Sequence, residues 1–338
     1  MLCRVAEDVF WMSRYVERAI AVGRLIEVTW HLELDVGDVD DFWQPLLIPS
    51  THGGFGPAED SDALSREEVR HYLAFDRENP SSLVSCILRA RTAARGVRES
   101  ISSEMWEQLN TLYLSLVASH QLREAEADPY AFYRRVREGA QYFQGLADAT
   151  LAHDELWHFV SLGKYLERAD NVARVLSLES HLLDDEIKVH GGDPLVRCLG
   201  VLRSCGSAEA YARYYSLRVE PARVVEFLLL NPVFPQSVRF SVSAAWDALR
   251  AIAGAYGSGA EGQDAALRPL GRLRSRLEHR AVDEVMEEGL DVYLADVQTR
   301  IGVVSEEVTR AYLRQDTQPG RLVAVARAAM LMAAQQQQ

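Results

Sequence analysis

The chain has 338 residues, 48% of them hydrophobic and 25% charged, a composition that suits a globular protein with a sizeable core. Lys and Arg number 36 against 49 Asp and Glu, a formal net charge of -13. That acidity excludes a general nucleic-acid binder and a surface docked on anionic lipid, since both need a surplus of Lys and Arg. The four cysteines, Cys3, Cys86, Cys198 and Cys205, form no Cys-x-x-Cys pair and are too few for a disulfide scaffold, so they read as reduced, mostly buried thiols of a cytoplasmic protein. Glu7 and Asp8 stand where an export signal would be apolar. Glu226 interrupts the longest apolar stretch far short of the roughly 20 residues of a membrane span.

Helical periodicity dominates in chain order. Val9, Met12, Val16, Ala19, Gly23, Ile26 and Trp30 recur at steps of three and four, one stripe of a long helix. Pro45, Pro49, Gly53, Gly54, Gly56 and Pro57 mark a long loop. Ser65-Arg66-Glu67-Glu68 reads as a capping box opening a short helix. Asn79-Pro80-Ser81-Ser82 starts a helix that reaches about Glu99, another spans about Ser102 to Leu122, and Asp128-Pro129 opens a third as N-cap and first helical residue. A long helix follows from about Glu155 to Leu183. Asp193-Pro194, Glu220-Pro221 and Phe234-Pro235 look like helix entrances, and two helices broken near Gly289 fill Leu267 to about Arg314. No strand pair or Asn-Gly hairpin signal is visible. The expected fold is all-α: one helical domain over 1–316, in halves of about 1–150 and 151–316, with 317–338 as a C-terminal helix or frayed tail.

The halves are inferred from an internal repeat. A shift of 150 positions lays Arg14-Tyr15-Val16-Glu17-Arg18-Ala19 on Lys164-Tyr165-Leu166-Glu167-Arg168-Ala169. Val22 then meets Val172, Arg24 meets Arg174 and Ile26 meets Leu176. On a helical wheel Glu17 and Arg18 point about 100° apart and cannot pair with each other, whereas Glu17 and Arg24 share a face roughly 10 Å apart. The same surface carries Phe10, Trp11 and Leu25, so the helix is expected to be buried and its charges to need partners. If the two long helices pack together, Glu17 can face Arg168 or Arg174, and Glu167 can face Arg18 or Arg24, with bidentate geometry. Two readings follow: a structural network that fixes helix register, or one in which some arginine forks remain free for an anionic ligand or a partner's carboxylate.

These motifs resemble the alpha-E family, bacterial helical domains with a Glu-Arg motif. The resemblance rests on Ala6 through Ala19; on Asn79-Pro80-Ser81-Ser82-Leu83 with Arg89-Ala90-Arg91, Arg95, Arg98, Trp106 and Asn110; and on Trp157 with Leu162 through Asp170. Ser207 through Tyr211 and Phe227 through Val238 complete it, so that it covers the chain to about residue 315. The family usually shows Asn at position 8, Asp at 231 and Arg at 236, where this chain has Asp8, Asn231 and Gln236. The resemblance implies a companion of a circularly permuted ATP-grasp protein, often with a transglutaminase-like peptidase nearby, and hence a role in an amide- or peptide-bond-forming system.

Other constellations carry less. Glu68-Val69-Arg70-His71 and Glu155-Leu156-Trp157-His158 are both Glu-x-x-His, but two more glutamates on separate helices would be needed for a di-iron bundle, so no metal is expected. Asp184-Asp185-Glu186 reads as a solvated helix end. Arg91, Arg95 and Arg98 step by four and three on one helix face beside Arg89, and Arg134, Arg135 and Arg137 form a second basic cluster. Such faces either pair with acidic neighbours or recognise a phosphate or acidic peptide. Gly53-Gly54-Phe55-Gly56 is a flexible loop rather than a phosphate cradle, and neither a cofactor nor a Gly-x-Ser-x-Gly nucleophile is indicated.

The sequence therefore points to an accessory subunit that binds a partner protein, peptide or anionic group, with self-association as a further option. The residues expected to carry this are Tyr15, Glu17, Arg18, Arg24, Tyr165, Glu167, Arg168 and Arg174, with Arg91, Arg95 and Arg98. The alternatives are an enzyme of acyl or aminoacyl transfer, with Glu17 or Glu167 as base, and a purely structural assembly protein.

Overall fold

The computed structural model describes residues 1, 3–36, 65–117, 127–178, 194–215, 219–255 and 263–313. Every regular element among them is helical. The Gly53–Gly56 loop, Asp184-Asp185-Glu186 and the tail after 313 lie outside the described residues.

The first helix, α1 (Cys3–Val36), is nine turns long and buries Val9, Met12, Val16, Ala19 and Ile26 along its apolar stripe. Four helices follow: α2 (Arg66–Ala74), α3 (Leu83–Gly96), α4 (Ser103–Val117) and α5 (Pro129–Thr150). The start signals act as expected. Ser65 and Glu68 form the capping box of α2, Ser82 caps α3 by accepting from Ser85 N, and Asp128 accepts from Ala131 N with Pro129 as the first residue of α5.

The second long helix, α6 (Glu155–Leu178), is buried on nearly every side from Phe159 to Leu176. After it come α7 (Pro194–Ser204), α8 (Ala208–Tyr215) and the short α9 (Pro221–Val225), which widens into a π turn over Glu226–Leu230. The helix α10 (Val238–Ala255) begins three residues later than Pro235 suggests. Asn231 Oδ1 first accepts from the backbone of Val233 and Phe234, and Ser237 then acts as the cap by accepting from Phe240 N.

The C-terminal part holds three helices rather than two: α11 (Gln263–Glu278), α12 (Val282–Glu288) and α13 (Leu290–Val308), the last ending in a π turn over Thr309–Leu313. Gly289, at φ 94°, makes the expected break. The additional break lies at 279–281, where Glu284 reaches back to Ala281 N.

The two long helices form the centre. α1 packs on α6, and is flanked by α3, α5 and α7; α6 is flanked in turn by α10 and α13. One continuous core runs through all of these elements. Burying the middle of both long helices with their charged residues is what creates the site.

Candidate functional site

α1 and α6 approach closely because Gly163 has no side chain. A Cβ there would lie 2.4 Å from the carbonyl oxygen of Phe10. Beside this contact Ser13 Oγ donates to Val160 O at 2.6 Å. One turn further along both helices the charges interlock.

Arg168 grips Glu17 with Nε to Oε1 at 2.6 Å and Nη2 to Oε2 at 3.1 Å. Arg18 grips Glu167 the same way, at 2.5 Å and 3.1 Å. Each helix thus supplies the glutamate for the other's arginine, in side-on bidentate pairs. Two further groups enter the network. Arg14 Nε donates to Glu167 Oε2 at 2.7 Å, and Gln144 Nε2 of α5 donates to Glu17 Oε2. Arg168 is steadied by Pro235 O at 3.4 Å, and Arg18 by Ser81 Oγ at 3.4 Å. The Asn79-Pro80-Ser81-Ser82 and Phe234-Pro235 motifs therefore abut the two arginines.

Glu167 is fully buried. Burial opposes its charged form, but the Arg18 and Arg14 guanidiniums outweigh that and hold its carboxyl down to about 2. Burial likewise disfavours the charged forms of Arg18 and Arg168, yet Glu167 and Glu17 keep both raised above the ordinary arginine value.

The remaining expected residues separate. Arg174 pairs with Asp170 one turn back, Nη2 to Oδ2 at 2.8 Å, rather than with Glu17. Among the described residues Arg24 meets no carboxylate, and Glu167 is taken by Arg14 and Arg18 in place of the alternative Glu167–Arg24 pairing. Tyr15 stacks on Trp11 and has Arg89 over its ring at 5.8 Å, while Tyr165 lies under Arg168 at 5.3 Å and against Phe240.

Two cavities flank the network. The larger, about 360 Å³, lies between α1, α6 and α13. Arg14, Arg18, Arg89 and Arg174 face it together with Trp11 and Tyr15, and Gln298 and Ser305 of α13 close the far wall. Its two carboxylates are Asp170, held by Arg174, and Glu306 at the exposed rim. The smaller, about 20 Å³, lies on the opposite side and is lined by Glu17, Arg24, Arg168, Asn171, Ser204, Cys205 and Gln236 among others.

Arg91, Arg95 and Arg98 line neither of these cavities. Arg91 donates to Asn110 Oδ1 at 2.8 Å and lies over Tyr113 and Trp106, Arg98 also covers Trp106, and Arg95 is exposed. The expected acidic neighbours are not what holds this stripe: none of the three makes an ion pair among the described residues. The second basic cluster does use acids, through Arg137 to Glu27 at 2.9 Å and Arg134 to Glu138 at 3.9 Å.

The Glu-x-x-His pairs have other employment. Glu68 serves its capping box, Glu155 meets the N-terminal ammonium at 3.2 Å, and His158 packs on Trp157. Among the described residues no group of three His, Cys, Asp or Glu side chains is placed to hold a metal ion. Cys86 is buried, and burial pushes its thiol up to about 12 despite the nearby Arg18. No helix among the described residues is long and apolar enough to cross a membrane.

Sequence reasoning missed Arg14, Gln144 and the α13 residues. Arg14 carried a signal, since its repeat position holds the cation Lys164, which turns instead to Asp148 at 3.4 Å. Gln144, Gln298 and Ser305 carry no charge pattern and are brought in by packing alone.

Uncharacterized proteins of Mycobacterium bovis (Mb2597) and Mycobacterium tuberculosis (Rv2567) are each 25% identical over 319 residues. The match takes in 87% of this chain but only 34% of each relative, so the chain spans about a third of the length of the proteins it resembles. No solved structure matches. The family profile of alpha-E, described as a predicted alpha-helical domain with a conserved ER motif, matches residues 1–313, and Glu17-Arg18 and Glu167-Arg168 are Glu-Arg pairs of that kind. The chain belongs to the alpha-E family.

Proposed function

We propose that this chain is an accessory subunit of an ATP-grasp-type amide- or peptide-bond-forming system in the cytoplasm, and that it holds an anionic group of a partner or peptide in the larger cavity. The carrying observation is that four guanidiniums face a cavity of about 360 Å³ in which Arg14 and Arg18 share the single carboxylate of Glu167, Arg174 is paired with Asp170, and Arg89 lies at the exposed edge. Arginine suits the role because its planar donors match a carboxylate or phosphate. The length of the relatives supports the same reading, since in them a segment like this one is about a third of a longer chain.

The catalytic alternative asks Glu17 or Glu167 to act as a general base, which requires a carboxylate with a pKa near the working pH and a lone pair aimed at substrate. Glu167 sits near 2, and Glu17 spends both oxygens on Arg168 and Gln144. Binding without turnover fits those carboxylates better. The purely structural reading leaves the arginine-lined cavity without a purpose.

The test is affinity purification of the tagged chain from its native host, with mass spectrometry of what accompanies it. Recovery of an ATP-grasp protein is expected, and Arg89→Ala at the exposed edge of the cavity should weaken that recovery while leaving the fold intact. Wild-type bait that brings down no protein of that class overturns the proposal.

A further inference from the structure

Among the described residues Arg24 is the long-helix arginine of the repeat that has no paired carboxylate. Its counterpart 150 positions on, Arg174, is neutralised by Asp170 one turn back. The position one turn back from Arg24 is Ile20, which has no charge to give. Around Arg24 the nearest carboxylates are committed elsewhere: Glu27 to Arg137, and Glu17 to Arg168 and Gln144. Burial lowers Arg24 below the ordinary arginine value and the Arg137 charge lowers it further, against weaker help from Cys205, Glu17 and Glu27. A half-buried cation with no paired carboxylate is costly.

The surroundings are built to keep it there. Gly206, at φ 62°, brings its backbone onto the guanidinium, and a Cβ at that position would come within 2.7 Å of Arg24 Cζ. Arg24 opens on the smaller cavity, whose wall includes Asn171, 95% buried, with its Nδ2 donor lacking any hydrogen-bond partner. Ser204 and Gln236 add polar groups. The lining charges are Arg24 and Arg168 against Glu17, a surplus of one positive charge. The space of about 20 Å³ exceeds what one water needs, roughly 10–15 Å³, and suits a small ion. A water would satisfy Asn171 but leave the surplus charge uncompensated.

We propose that this cavity binds a single chloride-sized monovalent anion between Arg24 and Asn171. It takes the place that Asp170 fills beside Arg174, and it does not depend on the role proposed for the larger cavity.

The test compares thermal unfolding of the full chain in sodium chloride and in sodium gluconate at equal ionic strength. Gluconate is far larger than the inner space of about 20 Å³, so chloride should raise the wild-type melting temperature by several degrees over gluconate. Arg24→Met should abolish that difference, and in gluconate should melt no lower than wild type, since it removes an uncompensated charge. Should Arg24→Met fail to fold, Asn171→Leu carries the comparison through a reduced chloride effect. A crystal grown in sodium bromide should show an anomalous peak between Arg24 and Asn171. Equal wild-type melting in the two salts, or a chloride effect that survives in the Arg24→Met chain, overturns the assignment.

Discussion

Gly163 of α6 lies against the backbone of Phe10 in α1, with the space for its absent Cβ ending 2.4 Å from the Phe10 carbonyl oxygen. That contact sets the separation at which Glu17 meets Arg168 and Glu167 meets Arg18, one turn further along each helix. The obstruction is backbone, so it cannot swing away. Gly163→Ala should cost about 1–3 kcal/mol or more by forcing the helices apart. Gly145 in α5, where a Cβ meets nothing within 4 Å, is the control, and Gly145→Ala should be neutral or stabilise by about 0.5–1 kcal/mol. Urea unfolding of the two variants measures both. Equal stability of the two would mean that the helices have slack at this crossing.

The Glu17–Arg168 pair should behave as a unit. Removing either charge alone leaves the other buried without its opposite charge, which costs about 3–5 kcal/mol. Glu17→Met combined with Arg168→Met leaves no orphan charge. Its cost should fall below the sum of the single variants by more than about 1 kcal/mol. A double-mutant cycle in urea reads this directly, and additivity would show that the pair is not coupled.

The network should also set an acid limit. Glu167 has a folded-state value of about 2 against an ordinary 4.5, so the unfolded chain binds the proton more readily. Its contribution is therefore fully present above about 4.5 and is lost as pH falls toward 2. The stability gap between wild type and Glu167→Gln should be constant above that window and shrink within it. A gap that stays flat down to pH 2 would mean that the two arginines do not hold the carboxylate.

The reciprocal Glu-Arg pairing was legible in the sequence because two buried helices repeated the same charges, and each charge needed a partner that its own helix could not provide. The identity of some partners was not legible. Arg174 chose Asp170 because an i to i+4 carboxylate is always within reach, whereas Arg24 has Ile20 there and was left without one. Helix entrances at Ser65, Ser82 and Asp128 followed from side-chain capping, a local property. The late start of α10 depends on Asn231 and Ser237 folding back on their own turn, and the cavity wall from α13 depends on residues about 120 positions or more away from α6 in sequence. Neither has a periodic signature.

The basic stripe of α3 separates packing from charge. Arg91 is half-buried, bonds Asn110 and lies 4.4 Å from the ring centre of Tyr113, whereas Arg95 on the same helix is exposed. Arg91→Ala should remove a charge-assisted hydrogen bond and the aromatic contacts, costing about 1–3 kcal/mol. Arg95→Ala should change stability by no more than about 0.5 kcal/mol. Thermal unfolding of both variants gives the contrast. If Arg95→Ala instead weakens recovery of a partner while stability is unchanged, the stripe is a docking surface and not only a packing device; if Arg91→Ala is as mild as Arg95→Ala, the stacking of Arg91 between Trp106 and Tyr113 contributes nothing to the fold.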